Sequence, residues 1–213
     1  MSARIGVIRV LSTDDERLLG AHGRAIEEVL PGVRTISRCI PDQPDGVHDE
    51  YTHAASVPKV ARLAAELSDQ VDGLVLSCAA DPGLQEARAA ARVPLVGAGS
   101  AAAAAARALG SRVGVITLTP TVPEAVALPL ADRLIAFRQP SGVHQTRDLL
   151  TDAGRTAAEQ AADELVAAGV DVLLLACTGM TTIGLPDRLR ACFGVPVIDP
   201  VLAAAGLLIS TCA

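Results

Sequence analysis

The sequence predicts an α/β fold of two lobes, each with a parallel sheet, related by a pseudo-twofold axis. Short apolar runs alternate with amphipathic helical patterns along the 213 residues, which is typical of parallel sheets with right-handed crossovers. Three of these segments recur, in the same order, in the second half of the chain. We therefore expect each half to form one lobe, with the active site in the cleft between them.

The longest repeat is a strand that ends in a cysteine. Val71-Asp-Gly-Leu-Val-Leu-Ser-Cys78 is matched 99 residues later by Val170-Asp-Val-Leu-Leu-Leu-Ala-Cys177. Short apolar runs bounded by polar or small residues are typical of strands buried on both faces of a parallel sheet. Each cysteine stands at the carboxyl end of its strand, where open α/β sheets form their binding sites. Two matched thiols therefore suggest one site shared by the two halves.

Two further segments recur in the second half. Arg4-Ile-Gly-Val-Ile-Arg-Val10 is echoed by Arg112-Val-Gly-Val-Ile-Thr-Leu118, and Val93-Pro-Leu-Val96 by Val195-Pro-Val-Ile198. Ordinary similarity between α/β segments is the alternative interpretation. Three repeats in one order and at nearly constant offset favour an internal duplication.

The first lobe is predicted to contain residues 1–97 plus 199–213, because the last helix crosses back, and the second lobe residues 98–198. Helix N-caps are expected where a side-chain oxygen precedes the first turn, at Ser12 or Thr13, Ser56 and Asp81. Stretches rich in proline and glycine predict long loops at 41–53 and 139–146. The predicted strands cover residues 4–10, 33–40, 71–77, 93–96, 112–118, 133–137, 170–176 and 195–198. The predicted helices cover residues 14–30, 57–70, 82–92, 100–109, 124–131, 153–168, 186–192 and 200 onwards.

Composition argues against several classes of function. Half the residues are hydrophobic, but only three are aromatic, and the net charge is −6. Few aromatic side chains and a negative charge are poorly suited to binding nucleic acid. We find neither a signal peptide nor an apolar segment long enough to span a bilayer, so we expect a cytoplasmic protein without a membrane partner. The expected partner is a small-molecule substrate.

The five cysteines are an odd number without a CxxC pair, which favours neither a disulfide framework nor a zinc site. Cys39, Cys192 and Cys212 are expected to be small buried hydrophobic residues. Cys78 and Cys177 differ, because each is followed by a turn into a helix whose dipole favours a thiolate. Two thiols that face each other can act as base and acid on opposite faces of a carbon acid and so invert its stereocentre.

This reaction needs no cofactor or metal, and the chain lacks the motifs GxGxxG, GxxxxGK(S/T) and HExxH. Two other functions stay open. A cysteine hydrolase would need a histidine base, but the histidines flank neither cysteine and are expected to be surface residues without a role, at positions 22, 48, 53 and 144. A two-lobed binding protein without catalysis is the other alternative.

The segments that follow the cysteines resemble the aspartate/glutamate/hydantoin racemase superfamily, and its hydantoin racemase branch most closely. The likeness rests on Ser77-Cys78-Ala-Ala-Asp81-Pro-Gly83 followed by residues 93–99, and on Cys177-Thr-Gly-Met180 followed by residues 195–200. It extends over essentially the whole chain. The resemblance implies two α/β lobes, cofactor-independent two-base racemisation and a protein that is often a homo-oligomer.

Carried over by position, Cys78 and Cys177 would be the catalytic pair. The residues expected to bind substrate lie at or near equivalent strand ends: Arg9, Ser77, Ala79, Gly99, Ser100, Thr117, Thr119, Thr178 and Gly179. Hydantoin racemases commonly have asparagine at the end of the first strand. Arg9 is therefore expected either to be a surface charge or to bind an acidic group or carbonyl oxygen of the substrate.

Two departures from the family pattern concern the substrate. Amino-acid racemases have Asn-Thr after the first cysteine and often histidine two residues after the second, where this chain has Ala79-Ala80 and Gly179. These differences weaken free aspartate or glutamate as the substrate. We expect a racemase of 5-substituted hydantoins or a related cyclic ureide such as allantoin. Racemisation of an open-chain amino acid, decarboxylation and cis–trans isomerisation are the alternatives.

Overall fold

The computed structural model of the protein describes residues 3–211, so Cys212 and the expectation for it lie outside the described residues. Within this range, helices alternate with parallel strands. The strands are β1 (Ala3–Arg9), β2 (Val33–Cys39), β3 (Gly73–Ser77), β4 (Leu95–Gly97), β5 (Val113–Ile116), β6 (Leu134–Arg138), β7 (Val172–Leu175) and β8 (Val197–Ile198). The α-helices are α1 (Glu16–Val29), α2 (Glu50–Leu67), α3 (Leu84–Ala90), α4 (Ala98–Leu109), α5 (Glu124–Leu130), α6 (Asp152–Ala167), α7 (Gly179–Thr182), α8 (Leu185–Cys192) and α9 (Pro200–Ile209). Short 3₁₀ helices cover Ala131–Arg133 and Thr146–Leu150.

The strands form two four-stranded sheets with the same order, β2-β1-β3-β4 and β6-β5-β7-β8. Every strand pair in both sheets is parallel. The two cysteine strands, β3 and β7, occupy the same interior position of their sheets. The predicted α/β class with two related parallel sheets is therefore confirmed. Among the helices of residues 3–211, none has the length and hydropathy needed to cross a membrane.

The aspartate of each repeated Val-Asp pair ties two neighbouring strands together at their amino ends. Asp72 Oδ2 accepts a hydrogen bond from the backbone N–H of Arg4 at 2.7 Å, and Asp171 Oδ1 accepts one from Arg112 at 2.8 Å. In each sheet this bond joins the start of the cysteine strand to the central strand beside it. The repeat thus has the same structural role twice, since it helps to fix the register of the strand that positions a cysteine.

Two helices rich in small residues pack where the halves of the chain meet. In α4, Ala98 and Ala101 pack in the core of the first sheet, whereas Ala102 and Ala106 pack in the core of the second. Alanine permits this double contact because its small side chain lets helix and strands approach closely on both sides. The last helix, α9, returns to the first sheet, where Val201 packs in the same cluster as the start of α4.

The first helix begins later than predicted. α1 is capped by Asp15, whose carboxylate accepts hydrogen bonds from the backbone N–H of Arg17 at 2.8 Å and of Leu18 at 3.4 Å. The expected cap at Ser12 or Thr13 is wrong. The Ser12 hydroxyl instead donates to the carbonyl of Ile40, so it joins the loop after β1 to the loop after β2.

The second helix begins earlier than predicted. α2 starts at Glu50 and not after Ser56, because Asp49 and Thr52 form a capping box. Asp49 Oδ1 accepts from the Thr52 N–H at 2.7 Å, and Thr52 Oγ1 accepts from the Asp49 N–H at 3.1 Å. Pro58 consequently lies inside the helix, where it cannot donate a backbone hydrogen bond. The loop between β2 and α2 is therefore shorter than predicted.

Asp81 caps a different helix from the one predicted. α3 begins directly after Gly83, which has a φ of 66°, and it receives no side-chain cap. The Asp81 carboxylate instead accepts hydrogen bonds from the backbone N–H groups of Gly99 at 2.9 Å and Ser100 at 2.8 Å, in the first turn of α4. The turn after Cys78 is thereby held against the start of α4.

We expect Asp81→Ala to lower the free energy of unfolding by about 1–3 kcal/mol, because two amide groups at the start of α4 lose their acceptor. Urea denaturation followed by circular dichroism measures the loss. Asp69→Ala is the control, since Asp69 is mostly exposed and pairs only with the exposed Arg92 among the described ion pairs. This control should change stability by less than about 1 kcal/mol. Equal losses in the two variants would contradict the capping role.

Candidate active site

A cleft with a volume of about 810 Å³ lies where the carboxyl ends of the two sheets meet. Its lining combines residues that follow β1 and β3 of the first sheet with residues that follow β5 and β7 of the second. Cys78 and Cys177 both line it, one from each sheet. This volume is in the range of sites that enclose a small molecule. The repeated strands thus bring the two predicted catalytic cysteines to one cleft.

A side-chain hydrogen bond joins the two cysteine turns directly. Thr178 Oγ1 donates to the carbonyl oxygen of Ser77 at 3.2 Å, so the residue after Cys177 contacts the residue before Cys78. This bond links the two sheets, which are not hydrogen-bonded to each other as strands. The relative position of the thiols therefore depends on contacts of this kind.

Burial dominates the chemistry of both thiols. Cys78 and Cys177 are partly accessible from the cleft, but their sulfur atoms are largely surrounded by protein. Desolvation raises the pKa of Cys78 to about 12 and raises the pKa of Cys177 above its ordinary value. The expectation that helix dipoles favour thiolates here is wrong in its net direction. The nearby amide groups lower both pKa values, but burial outweighs them.

The two thiols differ in their surroundings. The Cys177 thiol is near the N–H groups of Gly179 and Met180 and the positive charge of Arg9, all of which lower its pKa. Its sulfur lies 3.9 Å from Thr146 Oγ1, which also favours the thiolate. Cys78 has the N–H of Ala80, but the negative charges of Cys177 and Asp81 raise its pKa further. Of the two, Cys177 is the easier to ionise.

Arg9 is not a surface charge. Its side chain is 2% exposed, and its Nη1 donates to the backbone carbonyls of Leu18 and Leu19 in α1. Burial lowers the pKa of Arg9 to about 10, while the Cys39 and Cys177 thiols raise it. Arg9 belongs to the lining of the cleft and supplies a buried positive charge that lowers the pKa of Cys177.

Most of the predicted substrate-binding residues line the cleft: Arg9, Ser77, Ala79, Thr119, Thr178 and Gly179. Three lie outside the lining. The amide groups of Gly99 and Ser100 are bound to Asp81, and Thr117 is fully buried with its hydroxyl 2.9 Å from that of Thr119. The structure thus places the first turn of α4 one layer behind the cleft.

The expectation that the histidines are surface residues is wrong for His22, whereas His144 is exposed. His22 is fully buried, with hydrogen bonds from both ring nitrogens. His48, His53 and His144 line the cleft together with Thr146. A hydrolytic site is nevertheless not favoured. The described groups that act on the Cys177 thiol are amides, a hydroxyl and a guanidinium, and none is an imidazole.

A fourth repeat explains why two of these histidines share the cleft. Gln43-Pro-Asp-Gly-Val-His48 and Gln139-Pro-Ser-Gly-Val-His144 follow equivalent strands, and each contains a backbone turn. The two glycines have φ values of 70° and 72°, and both glutamine side chains donate back to their own loop, Gln43 Nε2 to Gly46 O and Gln139 Nε2 to Val143 O, each at 3.0 Å. Comparison of the two predicted loops with each other would have revealed these histidines.

The two copies of this loop contact each other beside the cleft. Asp45, in the first loop, forms an ion pair with Arg147, which follows the second loop. Gly46 lies against the side chain of Thr146 beside the same contact. Both copies of the repeated loop therefore contribute residues to the lining of the cleft.

Cys39 and Cys192 differ from the expectation that they are buried hydrophobic residues. Cys192 is exposed at the end of α8, and Cys39 is half-buried at the end of β2, where desolvation raises its pKa. Within residues 3–211 there is no cluster of three or more potential metal ligands. Cys192 therefore offers an accessible thiol for comparison with the two in the cleft.

We expect iodoacetamide at pH 7.5 to alkylate Cys192 at least about tenfold faster than Cys78 or Cys177, because burial keeps the cleft thiols protonated and shielded. Since a raised pKa delays ionisation, the rates at Cys78 and Cys177 should continue to rise as the pH passes 9. Peptide mapping by mass spectrometry at several pH values measures each site separately. Cleft thiols that react as fast as Cys192 at pH 7.5 would contradict this.

Comparison with known proteins places these features in a family. The model of the Asp/Glu/Hydantoin racemase family matches residues 5–208. The chain is 31% identical to the hydantoin racemase of Rhizobium meliloti over 175 residues, which are 76% of this chain and 70% of that protein. It is 28% identical to the hydantoin racemase of Pseudomonas sp. (strain NS671) over 174 residues, 75% of this chain and 66% of that protein.

Solved structures have the same fold. The allantoin racemase from Klebsiella pneumoniae matches with a TM-score of 0.84 and 26% identity, covering 98% of this chain and 87% of that chain. A variant of arylmalonate decarboxylase matches with a TM-score of 0.69 at 20% identity, covering 100% of this chain and 94% of that one, which shows a shared fold alone. From the family match, the relatives and the shared fold, we conclude that the chain belongs to the Asp/Glu/hydantoin racemase family and is an isomerase of the racemase type.

Proposed function

We propose that the protein racemises 5-substituted hydantoins or a related cyclic ureide such as allantoin, with Cys78 and Cys177 as the two bases. The observation that carries this proposal is the presence of one thiol from each sheet, at equivalent strand ends, in the same cleft. The names of the relatives support the substrate class, since they include hydantoin racemases and an allantoin racemase.

In the proposed mechanism a thiolate removes the proton from C5 of the ring. The electron pair of the C–H bond passes into the adjacent C4 carbonyl, which becomes an enolate. The thiol on the opposite face then donates its proton to C5, and the carbonyl re-forms with the stereocentre inverted. The reverse reaction uses the same groups with exchanged roles. No metal or cofactor is needed, because the thiols supply both base and acid.

We infer that Cys177 more readily carries the thiolate in the free enzyme. Arg9 and the amide groups of Gly179 and Met180 favour its ionised form, whereas Cys78 has its pKa raised to about 12. A reaction cycle that begins with a Cys177 thiolate and a Cys78 thiol has one base and one acid in place. In this cycle Cys177 removes the proton from the enantiomer whose C5–H bond faces it.

The charges in the cleft favour an uncharged ring over a free acidic amino acid. Of the described residues that line the cleft, Arg9 is the one arginine or lysine, and it is bound to backbone carbonyls. Three carboxylates share this lining, those of Asp49, Glu50 and Glu124. Aspartate or glutamate would bring two more carboxylates into this environment. Ala79 also offers no side-chain donor beside Cys78 to hold an α-carboxylate.

The test of the substrate class is proton NMR in D₂O with single enantiomers. The panel contains 5-methyl-, 5-benzyl- and 5-carboxyalkyl-hydantoin, allantoin, aspartate and glutamate. We expect the signal of the stereocentre proton and the optical rotation to disappear together for at least one uncharged cyclic ureide. Turnover of aspartate or glutamate alone would show that the substrate class is wrong. Tight binding without exchange would identify a non-catalytic binding protein.

Cys78→Ser and Cys177→Ser should each reduce racemisation by about 10²–10⁴-fold, because each removes one of two proton-transfer groups. Cys192→Ser is the matched control and should retain wild-type activity, since Cys192 lies outside the cleft. Polarimetry of a single enantiomer measures all three variants. Full activity in either Cys78→Ser or Cys177→Ser would indicate a reaction that requires only one of the two cysteines, such as decarboxylation or cis–trans isomerisation.

We also propose that the protein forms a homo-oligomer, as the resemblance to the family implies. Light scattering coupled to size-exclusion chromatography tests this, because a monomer of 21.7 kDa is readily distinguished from a dimer. A single species of monomer mass across the working concentration range would contradict the proposal.

A further inference from the structure

A buried histidine bridges the two cysteine turns from behind. His22 lies on α1 and is fully buried. Its Nδ1 is 2.7 Å from Ser77 Oγ, and its Nε2 is 2.9 Å from Thr182 Oγ1. Ser77 immediately precedes Cys78, and Thr182 lies in α7, the helix that begins two residues after Cys177. One imidazole therefore connects the turn of each cysteine across the boundary between the sheets.

The surroundings of His22 favour its neutral form. Burial and the nearby charge of Arg9 hold the pKa of His22 well below its ordinary value. A neutral imidazole has one donor and one acceptor nitrogen, and a hydroxyl can take either part. Ser77 and Thr182 can therefore satisfy both ring nitrogens in either tautomer. With both nitrogens engaged, His22 has no free lone pair with which to act as a base on substrate.

The bridge acts together with the direct contact between the turns. Thr178 Oγ1 donates to the carbonyl of Ser77, so Ser77 is held through its backbone by Thr178 and through its side chain by His22. These contacts lie beside the two thiols and join elements of different sheets. A rigid ring with two bonds restricts the separation of its partners more than a single flexible contact does.

We propose that His22 is a positioning residue that sets the separation of the Cys78 and Cys177 thiols across the substrate. This inference rests on the proposed two-base function. Inversion requires both sulfur atoms within roughly 3–3.5 Å of the same carbon, and a displacement of about 1 Å can reduce a rate by about a hundredfold. Removal of the proton requires only one correctly placed thiolate. Loss of the bridge should therefore impair inversion more than exchange.

This difference separates positioning from a general effect on folding. A destabilised enzyme has fewer active molecules, so exchange and inversion fall in proportion. In an enzyme with misplaced thiols, a thiolate still removes the proton, and the resulting thiol exchanges that proton for deuterium from D₂O. The same thiol then more often returns a deuteron to the same face. The diagnostic quantity is the deuterium in the recovered starting enantiomer relative to the deuterium in its mirror image, at early conversion in D₂O.

Thr182→Val is the informative variant, because it removes one partner of His22 and nearly keeps the side-chain shape. Thr181→Val is its matched control, since the neighbouring hydroxyl donates to Asp199 at 2.9 Å and does not contact His22. We expect Thr182→Val to raise the ratio of exchange with retention to inversion by about tenfold. His22→Ala should raise the ratio at least as much. Thr181→Val should keep the wild-type ratio.

An unchanged ratio in Thr182→Val would overturn the positioning role, even if both rates fell. A ratio raised equally by Thr181→Val would also overturn it, because the effect would then follow from any loss of a hydroxyl in α7. The outcome for the proposed function is read separately from the wild-type enzyme. If the wild-type enzyme exchanges no substrate proton, the two-base function fails and the positioning role fails with it.

Discussion

The contact between the two cysteine turns is the constraint on which the site depends. Each sheet fixes its own strands through backbone hydrogen bonds, but among residues 3–211 no ladder joins the two sheets. The separation of the thiols consequently depends on side chains that cross between the halves. Thr178 contacts the carbonyl of Ser77, and Asp45 pairs with Arg147. A few such bonds, together with the packing of α4 in both cores, hold the two sheets against each other around one site.

Burial gives the thiols a property that opposes one requirement of catalysis and serves another. A raised pKa reduces the fraction of thiolate at neutral pH, so fewer molecules would carry the base of the proposed mechanism. The same shift makes the thiolate that does form a stronger base. Transfer of a proton from carbon to this thiolate is therefore less unfavourable. Arg9 limits the first effect at Cys177 without removing the desolvation. A buried cation that is bound to backbone carbonyls can do this while it stays in place, because its position does not depend on the substrate.

The sequence predicts what repeats along the chain and misses what folding brings together. The alternating pattern and the Val-Asp and cysteine repeats identify both sheets, because strand periodicity and strand ends are local properties. Contacts between distant segments carry no such signal: His22 bonds to Ser77 and Thr182, 55 and 160 residues away, and Asp81 reaches past its own helix to the start of α4. The early start of α2 differs from the prediction for another reason. Asp49 and Thr52 form a stronger cap than Ser56 followed by proline, and both signals are visible in the sequence.

The twofold relation is kept at the two thiols and broken in the groups beside them. The proposed two-base mechanism approaches one carbon from both faces, so equivalent thiols would serve both directions. In the proposed cyclic ureide that carbon has a carbonyl on one side and a nitrogen on the other, so the groups beside the thiols need not match. The repeat that aligns Arg4 with Arg112 also aligns Arg9 with Thr117, a buried cation with a buried hydroxyl. Arg9 lowers the pKa of Cys177, whereas burial raises the pKa of Cys78 to about 12, so chemically identical side chains receive different tendencies to ionise. In the proposed mechanism, this break in symmetry would allow one thiol to begin as the base while its counterpart still holds the proton that completes inversion.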